Sequence, residues 1–237
     1  MEELNSVSDP ITQSKSAVIS ARGLTRVFGS GAASVVAVDH VSLEVMPGET
    51  LAFIGRSGSG KTTLLNLLSG LDQPTSGEAS FQGNDLASLS ESALVEMRRH
   101  KISFIFQSFG LMPLLSAQEN VELPLHLSGV GWRERRRRAQ ETLELVGLSS
   151  RARHRPYEMS GGEQQRASIA RALVTGAEVM FADEPTWELD TTTASTIAAI
   201  LNDISAKRGT TVLIATHDPI LASVANRTFE MVDGALA

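Results

Sequence analysis

Short apolar runs alternate with helix-like stretches along most of this sequence. The segments AVISARGLTRVF, VSLEV and GEASFQG carry the β-branched and aromatic residues typical of strands. The runs ETLAFIG, KISFIFQ, EVMFADE and TTVLIATHD are almost continuously apolar, which is typical of strands buried on both faces. Between the last two, Ile197, Ile200, Leu201 and Ile204 recur at helical spacing. Strands alternating with helices predict an α/β fold with a parallel sheet.

The pattern becomes more helical from about Leu86. The segment LASLSESALVEMRRH predicts a helix with Ser90 as a possible N-cap. The stretch from 116 to 148 predicts a helix, a turn and a second helix, with Pro124 interrupting and Gly147 closing.

We therefore expect one domain over residues 18–237. Its core is expected at 18–87 and 161–237, with a helical subdomain inserted at about 88–160. Residues 1–17 are polar and predict a flexible tail.

Composition narrows the class of protein. The 237 residues are 42% hydrophobic, so a sizeable core can be buried. There is no cysteine, which excludes a disulfide framework and a cysteine zinc site. A net charge of -6 argues weakly against nucleic-acid binding. No run reaches the roughly 18 apolar residues of a membrane helix, and the N-terminus lacks a signal-peptide core. A cytoplasmic protein is the default expectation.

Two features have plain structural explanations. The basic run RERRRR at 133–138 lies in a helical pattern diluted by Glu134, Glu141 and Glu144, which indicates a solvated helix face. The histidines at 40, 100, 126 and 154 show no metal-ligand spacing and are interpreted as structural or surface residues.

The octapeptide GRSGSGKT, residues 55–62, matches the phosphate-binding pattern G-x-x-x-x-G-K-[ST] in full. It follows a predicted strand and opens a predicted helix. Gly58 and Gly60 let the backbone curl so that its N–H groups converge on phosphate oxygens. Lys61 can reach the β- and γ-phosphates, and the Thr62 hydroxyl can reach Mg²⁺.

Two carboxylates end a later buried strand. Asp183 suits Mg²⁺ coordination, and Glu184 is placed to polarise a water that attacks a γ-phosphate. A guanine-reading N-K-x-D stretch is missing from the sequence, which disfavours a GTPase.

The segment MSGGEQQR, residues 159–166, resembles the signature motif of ABC ATPases. The other marks of that family follow in order: the phosphate loop, Gln107 after a strand, the signature, the acid pair, ELD at 188–190, and His217 after a strand. The resemblance covers roughly residues 18–234. It implies a P-loop NTPase core with a mainly parallel sheet, an antiparallel β N-terminal part and an inserted helical subdomain.

The resemblance also implies site residues for ATP and Mg²⁺. The catalytic residues would be Glu184, His217, Gln107 and Lys61, and the metal ligands Thr62, Gln107 and Asp183. The nucleotide-binding residues would be Phe28, which stacks on adenine, with Gly55, Ser57, Gly58, Ser59, Gly60, Lys61, Thr62, Thr63, Ser160, Gly161, Gly162 and Asp190.

The residues of the signature also support an interpretation that does not depend on the resemblance. Ser160 can cap the following helix, and a capped helix N-terminus attracts anions. One chain needs only one γ-phosphate site, so two such elements make sense if two copies pair head to tail. The resemblance implies this homodimer.

A narrower likeness is to the lipoprotein-release and macrolide-efflux branch, through SGLDQPTSGE, LELVGL and MRRHKISFIFQSFGLMPLLSAQENVELPL. It implies a motor at the cytoplasmic face of the membrane, whose ATP-dependent dimer closure drives a separate integral permease that has an extracytoplasmic domain. One alternative is a cell-division-type ATPase that regulates an extracytoplasmic process without transport. Another is a soluble ABC protein of DNA repair or translation, which usually carries two cassettes, coiled coils or zinc cysteines.

The loop after Glu184 departs from the family pattern. Trp187 and Glu188 stand where the family usually has a small residue and then Ala, Ser or Asn. Trp187 either packs against its own core or lies at the dimer seam, where aromatic residues contribute most. If the departure hinders ATP-driven closure of the dimer, exchanging Trp187 for Gly and Glu188 for Asn should raise ATPase activity or ATP-driven dimerisation.

Overall fold

The computed structural model describes residues 16–237. Most of the predicted tail at 1–17 therefore lies outside the described residues. The strands are β1 Ile19–Phe28, β2 Val35–Val45, β3 Thr50–Ile54, β4 Ser76–Phe81, β5 Asn84–Asp85, β6 Ile102–Ile105, β7 Val179–Asp183, β8 Thr211–Thr216, β9 Arg227–Val232 and β10 Ala235–Leu236. The helices are α1 Lys61–Leu68, α2 Glu91–His100, α3 Ala117–Leu127, α4 Trp132–Leu145, α5 Gly161–Leu173, α6 Thr191–Arg208 and α7 Pro219–Ala222.

The strands form two sheets. The first is antiparallel, in the order β2-β1-β4-β5. The second runs β10-β9-β3-β8-β7-β6 and is parallel except for the β10–β9 pair. The predicted α/β class is confirmed, with a mainly parallel core sheet and an antiparallel N-terminal part.

Alternate residues of the central strands face two different cores. Leu51 and Phe53 of β3 pack with the antiparallel sheet and α1, whereas Ala52 between them packs with α3 to α6. Phe181 and Met180 of β7 divide between the same two cores. Strand side chains point alternately to opposite faces, so a sheet covered on both faces needs continuous apolar runs.

The insertion predicted at about 88–160 contains one core strand. Strand β6 lies within that stretch and pairs in parallel with β7, and α2 packs beside it. The helices that follow, α3 and α4, pack on each other and on α5. The chain therefore leaves the sheet after β6, through the segment that contains Gln107.

Helix ends follow the sequence signals, with one exception. The Ser90 hydroxyl accepts from the Ala93 N–H, and Gly147 at φ +70° follows α4, as predicted. The predicted break at Pro124 is wrong, because α3 runs through it. The buried side chains Val121 and Leu125 fix α3 against the subdomain core, which outweighs the lost hydrogen bond.

The basic run forms part of an exposed face of α4. Arg137 pairs with Glu134 at 2.7 Å and Glu141 at 2.6 Å, and Arg138 pairs with Glu134 at 2.7 Å. These are the i,i+3 and i,i+4 contacts expected of a solvated helix.

Candidate nucleotide-binding site

The phosphate loop connects β3 to α1, in the predicted strand–loop–helix context. Gly58 has φ +81° and Gly60 has φ +102°, a left-handed region that disfavours other residues. A Cβ atom at Gly60 would lie 2.0 Å from the Ala37 carbonyl oxygen. Position 60 therefore requires glycine for both its backbone angle and its space.

Lys61 is folded back onto its own loop. It is 5% exposed, and its Nζ donates to the carbonyl oxygens of Gly55 at 2.8 Å and Arg56 at 3.0 Å. The same Nζ lies 3.6 Å from Glu184 Oε1. A buried cation held at the base of a curled loop is suited to bind phosphate oxygens.

Thr62 and Asp183 bring two oxygen donors together where the loop meets the end of β7. The Thr62 hydroxyl donates to Asp183 Oδ1 at 3.0 Å. Burial raises the pKa of the Asp183 carboxyl and the nearby Glu184 charge adds to the rise, while the Thr62 hydrogen bond and Lys61 oppose it. Oxygen ligands of this kind fit Mg²⁺. Within residues 16–237, no group of three His, Asp or Glu side chains is placed to hold a metal ion alone.

Glu184 and His217 form a hydrogen-bonded pair between neighbouring strands. Nδ1 of His217 lies 2.9 Å from Glu184 Oε2, and the His217 backbone N–H also donates to that oxygen at 3.3 Å. Glu184 is buried and has φ +44°, a conformation that costs free energy in a non-glycine residue. Its N–H donates to the Ala215 carbonyl at 2.8 Å, so β8 holds the strained residue in place.

These residues surround a cleft of about 540 Å³ at the carboxyl ends of the parallel strands. Of the predicted residues, the cleft is lined by Ser57, Gly58, Gly60, Lys61, Thr62, Thr63, Gln107, Glu184 and His217. It is also lined by residues that were not predicted for the site: Val35, Val36, Ala37, Arg56 and Trp187. The sequence marked Trp187 as a departure from the family pattern but did not assign it to the nucleotide site. The carboxyl ends of the strands are where α/β sheets bind ligands.

A larger cleft, of about 640 Å³, lies beside Glu178 and Thr211 at the opposite ends of β7 and β8. It contains none of the predicted site residues. The phosphate loop and the acidic residues meet in the smaller cleft, which is therefore the candidate nucleotide site.

Phe28, Gly55, Ser59 and Asp183 lie next to this cleft without lining it. Phe28 ends β1 opposite Val35, a residue of the cleft wall. Its ring is 43% exposed, with the Arg26 guanidinium 4.6 Å from its centroid. Ser59, itself a residue of the phosphate loop, is buried, and Asp183 accepts the hydrogen bond from Thr62.

The signature residues lie elsewhere in the described chain. The Ser160 hydroxyl accepts from the Glu163 N–H at 3.2 Å, and Glu163 accepts in return from the Ser160 N–H at 2.9 Å. Ser160 is thus the predicted N-cap, here of α5. A Cβ atom at Gly162 would lie 2.6 Å from Thr193 Cγ2, so glycine lets α5 approach α6 closely.

Asp190 lies near the signature rather than in the cleft. It caps α6, accepting from the Thr193 N–H at 3.0 Å and the Thr193 hydroxyl at 2.6 Å. These hydrogen bonds, led by the Thr193 hydroxyl, lower the pKa of the Asp190 carboxyl. The predicted site residues therefore fall into two groups, one around the cleft and one at the start of α5 and α6.

For Trp187 the sequence left two locations open, its own core or the dimer seam. Its ring centroid lies 5.6 Å from that of His217, at an interplanar angle of 68°, and the residue is 39% exposed. It lines the cleft instead of packing into its own core. The left-handed backbone in this loop falls on Glu184 and on Glu188, at φ +60°, and not on Trp187.

The chain is similar to a large set of known proteins. The family profile described as ABC transporter matches residues 38–187. A lipoprotein-releasing system ATP-binding protein LolD from Chromohalobacter salexigens is 44% identical over 220 residues, covering 93% of both chains. A macrolide export ATP-binding/permease protein MacB from Marinobacter nauticus is 43% identical over 219 residues. This chain spans about a third of the length of that MacB protein, 34%, although 92% of this chain is matched.

The chain is also similar to solved structures of ATP-binding cassettes. A dimeric ATP-binding cassette in a post-hydrolysis state, bound to ADP and Pi, superposes with a TM-score of 0.86 at 39% identity. The match covers 92% of this chain and 96% of that one. The P-loop NTPase fold expected from the resemblance is confirmed. The chain therefore belongs to the ABC transporter family of ATP-hydrolysing cassettes, in the branch of the LolD and MacB ATP-binding proteins.

Proposed function

We propose that this chain is the motor subunit of an ATP-driven transporter, and that it works as a head-to-tail homodimer on the cytoplasmic face of a membrane. The observation that carries the proposal is the division of the site into two groups within one chain. The phosphate loop lines the cleft, whereas Ser160, Gly161 and Gly162 form a separate helix start at which Ser160 is exposed. A second copy can supply that helix start to the open side of the cleft.

The cleft residues have distinct roles in this proposal. The loop N–H groups and Lys61 hold the β- and γ-phosphates, and the Lys61 ammonium exchanges its loop carbonyls for phosphate oxygens. Glu184 polarises the attacking water, which fits its position at the floor of the cleft. His217 holds Glu184 through the 2.9 Å hydrogen bond and contacts the γ-phosphate.

Thr62 and Asp183 would hold Mg²⁺ together with the nucleotide phosphates, and Gln107 would complete the set. Their fit rests on the 3.0 Å contact between Thr62 and Asp183 and on the place of Gln107 in the cleft wall. Bound there, the ion neutralises charge that develops on the phosphates.

Gln107 also begins the segment that can transmit the state of the nucleotide. The guanidinium of Arg171 in α5 donates to the carbonyl of Phe109 at 3.0 Å and to that of Gly110. This ties the Gln107 loop to the helix that starts with the signature. A movement of the loop on ATP binding would therefore move the helical subdomain.

Beside this loop is a groove of about 550 Å³ between β6 and α3, lined mostly by apolar atoms. Phe106, Met112 and Leu127 expose 42%, 48% and 63% of their surfaces there. An exposed apolar groove next to a nucleotide sensor is a suitable contact for the permease. No helix in the described residues is long and apolar enough to cross a bilayer.

The test is ATP hydrolysis by the chain alone and after reconstitution with its membrane partner. We expect a weak isolated ATPase and a higher turnover in the complex, because the partner offsets the entropy of bringing two chains together. Leu127→Glu should lower the stimulation relative to its own basal rate, whereas Leu145→Glu, equally exposed on α4 but outside the groove, should not. A fully active isolated chain with no response to membranes would contradict the motor role. Stimulation without substrate movement would favour the alternative of a cell-division-type ATPase that regulates an extracytoplasmic process without transport.

A further inference from the structure

Trp187 is the one large aromatic side chain that reaches the nucleotide cleft from the loop after Glu184, among the residues described. Its ring meets His217 at 5.6 Å between centroids and 68° between planes. Aromatic rings favour this edge-to-face arrangement because the positive edge of one meets the negative face of the other. Trp187 thus contacts the same imidazole whose Nδ1 is bonded to Glu184.

The loop that carries Trp187 is fixed at several points. The Trp187 N–H donates to the Glu184 carbonyl at 3.0 Å, which makes a tight turn. Thr186 is buried, and its hydroxyl donates to Asp218 Oδ2 at 2.9 Å. Since Asp218 follows His217 directly, the two loops are joined beside the aromatic contact. These contacts fix the backbone at Trp187 relative to His217.

His217, by contrast, is poorly confined by other groups. Its side chain is 53% exposed at the mouth of the cleft. An imidazole that open to solvent can rotate about χ1 and leave Glu184 unless something restrains it. Within the described residues, the hydrogen-bonding and aromatic partners of the His217 side chain are the carboxylate of Glu184 and the ring of Trp187.

We propose that Trp187 is a positioning residue that holds the His217 imidazole against Glu184. The inference rests on the proposed roles of Glu184 and His217. Trp187 acts by raising the fraction of molecules in which the pair is aligned before ATP arrives. A residue that acts by ordering this pair changes kcat more than KM for ATP, because aligning Glu184 and His217 does not by itself hold the nucleotide.

From the sequence, a small residue at position 187 was expected to raise activity, and this proposal predicts the opposite. A small residue there matches the family pattern but frees His217, so Trp187→Gly should lower turnover. The effect expected of Glu188→Asn does not depend on this proposal, because it arises from the backbone conformation and the charge of Glu188.

The first experiment separates kcat from KM in steady-state hydrolysis by the full chain. Trp187→Leu keeps bulk and loses the aromatic edge, and we expect kcat to fall roughly threefold to tenfold with KM within about twofold. Trp187→Phe keeps an aromatic ring and should restore most of kcat. Trp132→Phe, on the exposed start of α4, is the matched control and should leave both constants unchanged.

The second experiment uses the fact that the chain has two tryptophans. In the Trp132→Phe background, Trp187 is the sole indole, and its fluorescence anisotropy reports its freedom to rotate. Replacing His217 with Ala should lower the anisotropy of Trp187 and change its emission, even if that variant hydrolyses no ATP.

Parent kcat in Trp187→Leu, an effect found wholly in KM, or an anisotropy unchanged by His217→Ala would each overturn the proposal. Glu184→Gln distinguishes this from a failure of the proposed site. If Glu184→Gln loses turnover while Trp187→Leu does not, only the role of Trp187 is wrong. If Glu184→Gln hydrolyses at the parent rate, the assignments on which that role depends are wrong.

Discussion

Nζ of Lys61 lies 3.6 Å from Oε1 of Glu184, so the cation of the phosphate loop rests beside the proposed base. Both side chains are buried, at 6% and 11% exposure. Removing one partner of a buried ion pair destabilises the folded protein strongly, because the remaining charge stays desolvated. ATP can supply the replacement anion for Lys61 and leave Glu184 to the attacking water.

Glu184→Gln should therefore keep ATP binding and lower turnover by roughly 100- to 10,000-fold. The amide removes the base and the charge that competes with phosphate for Lys61. The variant should accumulate as an ATP-bound dimer. Sizing chromatography with ATP, alongside a phosphate-release assay, measures both effects. Turnover at the parent rate would remove Glu184 from the mechanism.

Gly60→Ala and Gly58→Ala form a matched pair in the phosphate loop. Both glycines have positive φ, but only at Gly60 would a Cβ meet backbone, 2.0 Å from the Ala37 oxygen, while Gly58 has nothing within 4 Å. We expect Gly58→Ala to cost about 1–2 kcal/mol of unfolding free energy. Gly60→Ala should cost clearly more and abolish ATP binding. Urea denaturation and equilibrium ATP binding compare them, and equal losses would contradict the assigned clash.

Glu188→Asn should stabilise the chain. Glu188 is exposed with φ +60°, a left-handed conformation that asparagine adopts more readily. We expect the free energy of unfolding to rise by up to about 1 kcal/mol. Glu188→Gln is the control, since it removes the charge and keeps the backbone cost. Equal stabilisation by both variants in chemical denaturation would assign the effect to charge.

The cap of the signature helix should make stability depend on pH. The Ser160 N–H, with help from Arg151, holds the pKa of the Glu163 carboxyl below its ordinary value. A carboxyl with a lowered folded pKa contributes stability above its unfolded pKa, about 4.3, and loses it as pH falls through the folded value. Glu163→Gln should therefore lower Tm at pH 7, with a difference that shrinks below about pH 4.

Glu91→Gln is the control for that series. Glu91 lies in the first turn of α2, whose cap is not reciprocal, so a smaller change in Tm is expected. A Glu163→Gln difference that stays constant from neutral to acidic pH would show that the carboxylate charge is not what the cap uses.

The predictable parts of the fold are those that bury continuous apolar runs. Strands β3, β7 and β8 follow directly from such runs, because both faces of the sheet are covered. Strand β9 gives no such signal, since most of its residues remain exposed. It joins the sheet by pairing in parallel with β3, which only tertiary structure reveals.

The candidate site also has parts that the sequence predicts and parts that it does not. The phosphate loop is predictable because its glycines, lysine and threonine are required by the local backbone conformation and charge. Val35 and Val36 line the cleft but are ordinary strand residues in the sequence. The contact of Trp187 with His217 joins two loops 30 positions apart, and no local pattern encodes it.

The head-to-tail dimer is the central claim, and the absence of native cysteine makes it directly testable. The measurement places Ser57→Cys and Ser160→Cys in the Glu184→Gln chain and adds a short bismaleimide with or without ATP. Both serines are exposed, one in the phosphate loop and one at the signature. We predict a covalent dimer on a denaturing gel that requires ATP and both cysteines. An ATP-bound dimer on the sizing column that fails to cross-link, or that cross-links through Ser57→Cys alone, would contradict the head-to-tail arrangement.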